Sequence, residues 1–427
     1  MIDFRAEPAS PTRSFPVSQP AVDTSKSHLI PECQARPGDD PIFALNAEAV
    51  RRARAGEAIV NATLGALMED DGRLALLPVV AEALAAVPPE RAAAYAQIAG
   101  DPPFLKAVIA DLFGEGPLAA QSVAVATPGG TGALHHAVTA CLQPGDALLT
   151  SSYFWGPYKT IAQHTRRKIE TFPMFDASAR FDAAAFGTAL EAQMRRQGRA
   201  LVILNSPCHN PTGYSLDDAE WKAVARVLRQ AAAHGPVTLC VDFAYARFGA
   251  GNPLAWVATI EPLLGDVLLL VAWSASKAYA QYGARIGALV ATHPDPAERE
   301  RLFQALSFGC RGTWSNCNHL GMLAITELLR DPALRARADR ERERLRTLLG
   351  QRVAAFNAAA QAAGLRHPRY EGGFFVTVFA PDGERTAAHM RERGVFVVPQ
   401  PGAVRVALCG TPVRDVPRLV EALAGAL

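Results

Sequence analysis

The sequence predicts an α/β fold: a mostly parallel sheet sandwiched by helices, with a smaller α+β domain attached. Three observations carry this reading. Leu201–Asn205, Val237–Asp242 and Val267–Trp273 are apolar runs without alternation, as strands buried on both faces require. Helical patterns such as Asp217–His234 lie between such runs, which is the signature of a parallel sheet with crossover helices. The C-terminal part then changes to a long Arg/Glu/Leu-rich helical pattern followed by short strands.

Taken in order, residues 1–40 are rich in Pro, Ser and Thr without apolar periodicity, and read as an irregular arm. Pro78–Val87 and Asp101–Phe113 read as helices. Val123–Thr127 is a strand, followed by the turn Pro128-Gly129-Gly130 and a helix over Thr131–Leu142. Ala147–Ser151 is a strand, and Ile286–Ala291 pairs beside the buried runs. One helix spans roughly 317–364. Strands follow at Gly373–Phe379, Val395–Val398 and Val404–Leu408, with a closing helix over about 412–425. This divides the chain into an arm (1–40), a small domain (41–70 and 326–427) and a large domain (71–325).

Composition narrows the function. A chain of 427 residues needs more than one lobe. With 49% hydrophobic and 20% charged residues it is a globular protein, not a disordered one. The formal charge is +2, so no basic excess calls for nucleic acid or an anionic membrane. Val267–Trp273 is the longest unbroken apolar stretch and is far too short to span a bilayer. Seven scattered cysteines with no Cys-x-x-Cys pair fit a reducing compartment, and the cytoplasm is expected.

Four segments could carry chemistry. Ser274-Ala-Ser-Lys277 follows a buried strand directly, with Arg285 eight residues on. A lysine held there is desolvated, its pKa falls, and it becomes a nucleophilic amine. Alone it would read as an exposed loop lysine. Gly129-Gly-Thr-Gly132 joins a strand to a helix, where glycines and free amides suit an anion. Neither a Walker loop nor Gly-x-Gly-x-x-Gly is matched. Asn205-Ser-Pro-Cys-His-Asn-Pro-Thr-Gly213 carries Asn210 to the carboxyl end of the sheet, where open α/β folds place ligands. Asp242-Phe-Ala-Tyr245 ends a strand on a carboxylate that needs a partner.

Asn210 to Asp242 is 32 residues, and Asp242 to Lys277 is 35. Each interval suits one strand-helix-strand unit, so all three groups arrive at one sheet edge. An amine for an aldehyde, a carboxylate for a ring nitrogen and a Gly/Thr/Ser/Arg set for a phosphate together describe pyridoxal 5'-phosphate.

At this point the chain resembles the class I, fold type I aminotransferases, in the aspartate and aromatic amino-acid branch. The motifs that carry the resemblance are Tyr95-Ala-Gln-Ile-Ala-Gly100, Gly130-Thr-Gly-Ala-Leu134, Trp155-Gly156 and His209-Asn-Pro-Thr-Gly213. Asp242-x-x-Tyr245, Ser274-x-Ser-Lys277, Arg285, Arg311-Gly-Thr-Trp-Ser-Asn316 and Arg405 complete them. The resemblance implies that Lys277 holds the cofactor as a Schiff base and shuttles the proton. It implies that Asp242 pairs with the ring nitrogen, and that Asn210 and Tyr245 bind the phenolic oxygen. Trp155 then stacks on the ring and adjoins the substrate. Gly130, Thr131, Ser274, Ser276 and Arg285 hold the phosphate, joined by Tyr95 from a second subunit of a homodimer. For substrate, the resemblance implies Gly65 in a closing loop, Asn210, Arg405 on the α-carboxylate and Arg311 on a distal carboxylate. Amino acids, dicarboxylic or aromatic, and 2-oxo acids are the implied substrates.

The chain also departs from the family pattern. The position three residues after the stacking tryptophan, usually histidine, is Tyr158. Pro157 stands where a small polar residue is usual, Gly129 where a phosphate-binding serine is common, and Cys317-Asn318 where Pro-Pro is usual. These changes leave open a specialised biosynthetic aminotransferase, or a lyase, decarboxylase or cyclising enzyme using the same cofactor. A non-enzymatic sensor is the remaining alternative, disfavoured because residues 1–40 are too short and irregular for a helix-turn-helix.

Overall fold

The computed structural model describes residues 27–34, 36, 38 and 41–427. Most of the expected arm over 1–40 lies outside the described residues; Pro31–Gln34 within it forms one helical turn.

The first strand, β1 (Val60–Asn61), is short and is completed by a late part of the chain. The next seven build one sheet: β2 (Ser122–Pro128), β3 (Ala147–Ser151), β4 (Lys168–Phe172), β5 (Ala200–Asn205), β6 (Val237–Asp242), β7 (Val267–Ser274) and β8 (Ile286–Thr292). Their spatial order is β2-β8-β7-β6-β5-β3-β4. Neighbours among β3 to β7 pair in parallel, and β8 runs antiparallel to both β7 and β2. Every residue of β3, β5, β6 and β8 is buried, which is why these runs are apolar without alternation. The expected mostly parallel sheet is therefore present. Strand β4 escaped the sequence reading for a physical reason. It is an edge strand, and Lys-Ile-Glu-Thr-Phe carries the polar residues an edge tolerates.

The remaining strands are β9 (Phe375–Phe379), β10 (Val395–Phe396), β11 (Val398–Gln400) and β12 (Ala403–Ala407). An antiparallel sheet β11-β12-β9 packs in the C-terminal part. β1 pairs in parallel with β10, joining the segment before the large sheet to the chain's last part.

Three helix expectations need correction. The helix expected over 317–364 is two, His319–Arg330 and Pro332–Ala362. Pro332 disfavours helical geometry at Asp331, which is extended (φ −79°, ψ 117°) and caps the second helix by accepting from Ala333 and Leu334 amides. The helix expected from Thr131 begins at Gly129, so the glycine turn is its first turn. The closing helix starts at Val416, after a 3₁₀ turn over Val413–Asp415. Among the described residues no helix is long and apolar enough to cross a membrane.

Register fixes what the sheet presents at its carboxyl edge. Asn205 lies opposite Asp242, Asp242 opposite Ala272, Ser274 opposite Gly287, and Pro128 opposite Ile286. The ends of β2, β5, β6 and β7 thus meet the start of β8 along one line. Gly287 sits where that line is tightest. A Cβ there would lie 2.6–2.8 Å from backbone atoms of Gly129. Backbone cannot step aside as a side-chain tip can, so Gly287→Ala is expected to cost about 1–3 kcal/mol in a urea unfolding titration. A cost within experimental error would contradict this account of the edge.

Candidate active site

The chain turns at the end of β2 with Gly129 at φ +70° and enters the helix Gly129–Cys141. The first amides of that helix have no partner within it. Gly132 is glycine because a Cβ there would lie 2.5 Å from the Pro128 ring. Opposite, Arg285 also holds a left-handed backbone (φ +53°). Its guanidinium donates to Ser276 Oγ (3.1 Å), the Tyr282 carbonyl (2.9 Å) and Thr131 Oγ1 (3.5 Å). Ser274 Oγ accepts from the Ser276 amide at 3.2 Å, and a Cβ on Gly130 would stand 3.5 Å from Ser274. Gly130, Thr131, Ser274, Ser276 and Arg285 are therefore brought together. Glycine at 129 suits its φ of +70°, which strains any residue with a side chain, and a Cβ there would also lie 2.6 Å from the Arg285 guanidinium. A helix N-terminus, a guanidinium and three hydroxyls form a cradle suited to a phosphate.

Lys277 follows on the short helix Ala275–Ala278, capped by Ser274. Its Nζ lies 5.4 Å from the Tyr245 ring centre and 5.3 Å from that of Tyr282. Burial, seconded by the Arg285 charge, lowers its pKa to about 8, against a smaller opposing pull from Asp242. About a tenth of the amine is then neutral at pH 7, far more than for an ordinary lysine.

Asp242 ends β6 and is buried. Oδ2 accepts from the Tyr158 hydroxyl at 2.7 Å and Oδ1 from the Ala244 amide at 3.2 Å. Burial pushes its carboxyl pKa up, while these two donors and the Lys277 charge pull it down. Asn205 ties the edge together: its Nδ2 donates to the Asp242 carbonyl (2.8 Å) and its Oδ1 accepts from the Asn210 amide (2.6 Å). Asn210 Nδ2 in turn donates to the Tyr245 hydroxyl at 3.2 Å. That hydroxyl keeps its own proton for another acceptor. Trp155 meets Tyr158 edge to face, 5.7 Å between ring centres.

Arg405 is buried on β12, donates to the Thr63 carbonyl at 2.6 Å and lies 4.5 Å above the Phe375 ring centre. Gly65 approaches that same ring: a Cβ on it would lie 2.5 Å from Phe375 Cζ. The loop carrying Gly65 is also tied to the lysine side of the site, because the Leu67 amide donates to the Tyr282 hydroxyl at 2.9 Å. Two expected residues stand apart within the chain. Tyr95 is 92% exposed. Arg311, exposed at the end of the helix Pro296–Thr313, donates to Ser315 Oγ at 2.7 Å.

Sequence reasoning left out several members of this constellation. Tyr158 was visible only as a departure from a pattern, and Asn205 as the first residue of a longer motif. Tyr282 and Phe375 gave no signal beyond ordinary apolar or aromatic residues.

The residues present fit pyridoxal 5'-phosphate on their own chemistry. The glycine turn offers a cradle that side chains would fill, Tyr245 offers a donor, and Asn210 Oδ1 is a buried polar atom with no partner among the described residues. The family model described as aminotransferase class I and II matches residues 59–423. An aromatic-amino-acid aminotransferase of Pseudomonas aeruginosa is 30% identical over 311 residues, 70% of this chain and 74% of that protein. A crystal structure of an aminotransferase from Anaerococcus prevotii is 32% identical at a TM-score of 0.88, covering 93% of this chain and 99% of the other. An aromatic-amino-acid aminotransferase from Burkholderia pseudomallei, crystallised covalently bound to pyridoxal phosphate, is 25% identical at a TM-score of 0.78 and covers 95% and 100%. The chain belongs to the class I and II aminotransferases and is an enzyme of pyridoxal 5'-phosphate-dependent transamination.

Proposed function

We propose that Lys277 is the amine that holds the cofactor, and that the enzyme exchanges the amino group of a dicarboxylic or aromatic amino acid with a 2-oxo acid. The observation that carries this reading is the desolvated Lys277 amine over two tyrosine rings, beside buried Asp242. When bound, pyridoxal 5'-phosphate supplies an electron sink for negative charge at the substrate α-carbon. Every other task falls to the chain itself. Gly130, Thr131, Ser274, Ser276 and Arg285 bind the phosphate. Asp242 keeps a proton at the ring nitrogen. Asn210 and Tyr245 donate to the phenolic oxygen, and Trp155 covers a ring face. Lys277, once free, takes the α-proton and returns it at the neighbouring carbon as a positioned general base and acid.

Substrate selection follows from two arginines. Arg405 offers a planar fork to the α-carboxylate, and Phe375 beneath it orients the guanidinium. Tyr95 and Arg311 are read as reaching a second copy's site, so the working unit is a homodimer. Their exposure in the single chain supports this. An arginine that serves a distal carboxylate while the pocket also admits a ring accounts for both substrate classes. Cytoplasmic location is part of the same reading.

The test is a panel of amino acids mixed with purified holoenzyme, followed by the loss of the cofactor's visible absorbance and the appearance of 2-oxo acid. Arg405→Ala is expected to lower kcat/KM for every substrate by at least about thirtyfold, the effect of breaking a charge-assisted pair. Arg311→Ala is expected to lower it by a similar factor for aspartate and glutamate only. Equal losses for aromatic substrates in Arg311→Ala would sink the assignment of that residue.

A second test reads the lysine directly. In cofactor-free protein, methylation of Lys277 by formaldehyde and a mild hydride donor requires the neutral amine. A depressed pKa makes the amine neutral at lower pH, so the reaction should rise with a midpoint near pH 8. A midpoint near about 10.4, the ordinary lysine value, would remove the argument for a desolvated amine.

A further inference from the structure

Tyr158 occupies the first turn of the helix Pro157–His164 and is 1% exposed. Its ring is fixed on two sides. Phe154 lies parallel at 6.4 Å between ring centres, and Trp155 meets it edge to face at 5.7 Å. Its amide donates to the Trp155 carbonyl at 2.9 Å, which sets the start of the helix. Held in this way, the hydroxyl has one direction in which to donate, and it donates to Asp242 Oδ2 at 2.7 Å.

The groups that face the Asp242 carboxylate come from four elements. Tyr158 approaches from its helix, Lys277 from the segment after β7, Tyr245 from the loop after β6, and Cys240 from β6 itself. The carboxylate takes a second hydrogen bond from the Ala244 amide. A buried carboxylate with a single backbone donor would tend to take up a proton, because burial penalises the charged form. A phenol differs from an imidazole as a supporting donor. It stays protonated across the neutral range, so its hydrogen bond does not vary with pH and it adds no charge to the site. Burial and the neighbouring carboxylate hold the Tyr158 proton more firmly still.

We propose that Tyr158 is the positioning residue that keeps Asp242 ionised and aimed, and thereby keeps the cofactor's ring nitrogen protonated independently of pH. This rests on the reading of Asp242 as the partner of that nitrogen. The electron sink is held open by a non-titrating hydroxyl, so the side chain that donates to Asp242 carries no charge that changes near neutrality.

The experiment uses holoenzyme loaded with the amine form of the cofactor, labelled with nitrogen-15 in the ring, and solid-state nitrogen NMR. In the wild type the ring-nitrogen signal should stay at its protonated position from about pH 5 to about pH 7, where an imidazole would titrate. That window lies below the Lys277 midpoint of about 8. Tyr158→Phe keeps the ring and its packing but removes the donor. Its signal should move toward the unprotonated position, and cofactor should bind about tenfold more weakly, the loss of one hydrogen bond to a charged group. A merely structural role would leave the nitrogen signal where it was. Should Tyr158→Phe fail to fold, the wild-type series still decides, since an inflection in that window overturns the proposal. Asp242→Ala separates the two layers of the argument. If it shifts the signal and Tyr158→Phe does not, Tyr158 loses its role while the Asp242 reading stands. If neither substitution shifts it, both fall.

Discussion

A carboxylate buried at the end of β6 is the feature on which the rest of the site depends. Asp242 is 4% exposed, and burial alone would favour its neutral form. Burial is opposed, though not outweighed, by a phenol from one side, a backbone amide from another and the lysine charge across the site. The same burial acts on Lys277 in the opposite sense, lowering to about 8 the pKa of an amine that water would keep charged. One dry edge thus prepares an acid and a base for different work. Strand register sets their positions, because Asn205, Asp242 and Ala272 lie side by side across β5, β6 and β7.

The anion cradle is the complementary half of this design. It is assembled from backbone that cannot be altered cheaply: Gly129 and Arg285 in left-handed conformations, with Gly287 packed against Gly129. Where the family pattern has a serine, Gly129 holds a left-handed backbone with the Arg285 guanidinium close beside it. Two departures from the family pattern have local counterparts in the structure: Gly129 in its left-handed conformation and Tyr158 in its hydrogen bond to Asp242.

What the sequence made legible follows a pattern. The strands β5, β6 and β7 were readable because both faces are covered, leaving runs such as Leu201–Leu204 without polar interruption. Asn210, Asp242 and Lys277 were readable because each is a polar residue just beyond such a run. The break at Asp331 was signalled by Pro332, yet the surrounding Arg/Glu/Leu pattern hid it, since a capped restart preserves helical periodicity. The partners of the reactive groups were less legible. Tyr158 reaches Asp242 across 84 residues, and Tyr282 reaches Leu67 across 215, so only the fold brings them together. Phe375 under Arg405 looked like one more core aromatic in β9. Tyr95 and Arg311 matched motifs yet stand apart from this site: Tyr95 is exposed, and Arg311 donates to Ser315.

The covalent attachment point is the most direct measure of the central claim. Holoenzyme reduced with borohydride, digested and analysed by mass spectrometry should carry the phosphopyridoxyl adduct on the peptide containing Ser274-Ala-Ser-Lys277, with the mass fixed on Lys277. An adduct on Lys26, Lys106, Lys159, Lys168 or Lys222, or none on protein that is saturated with cofactor, would contradict the account.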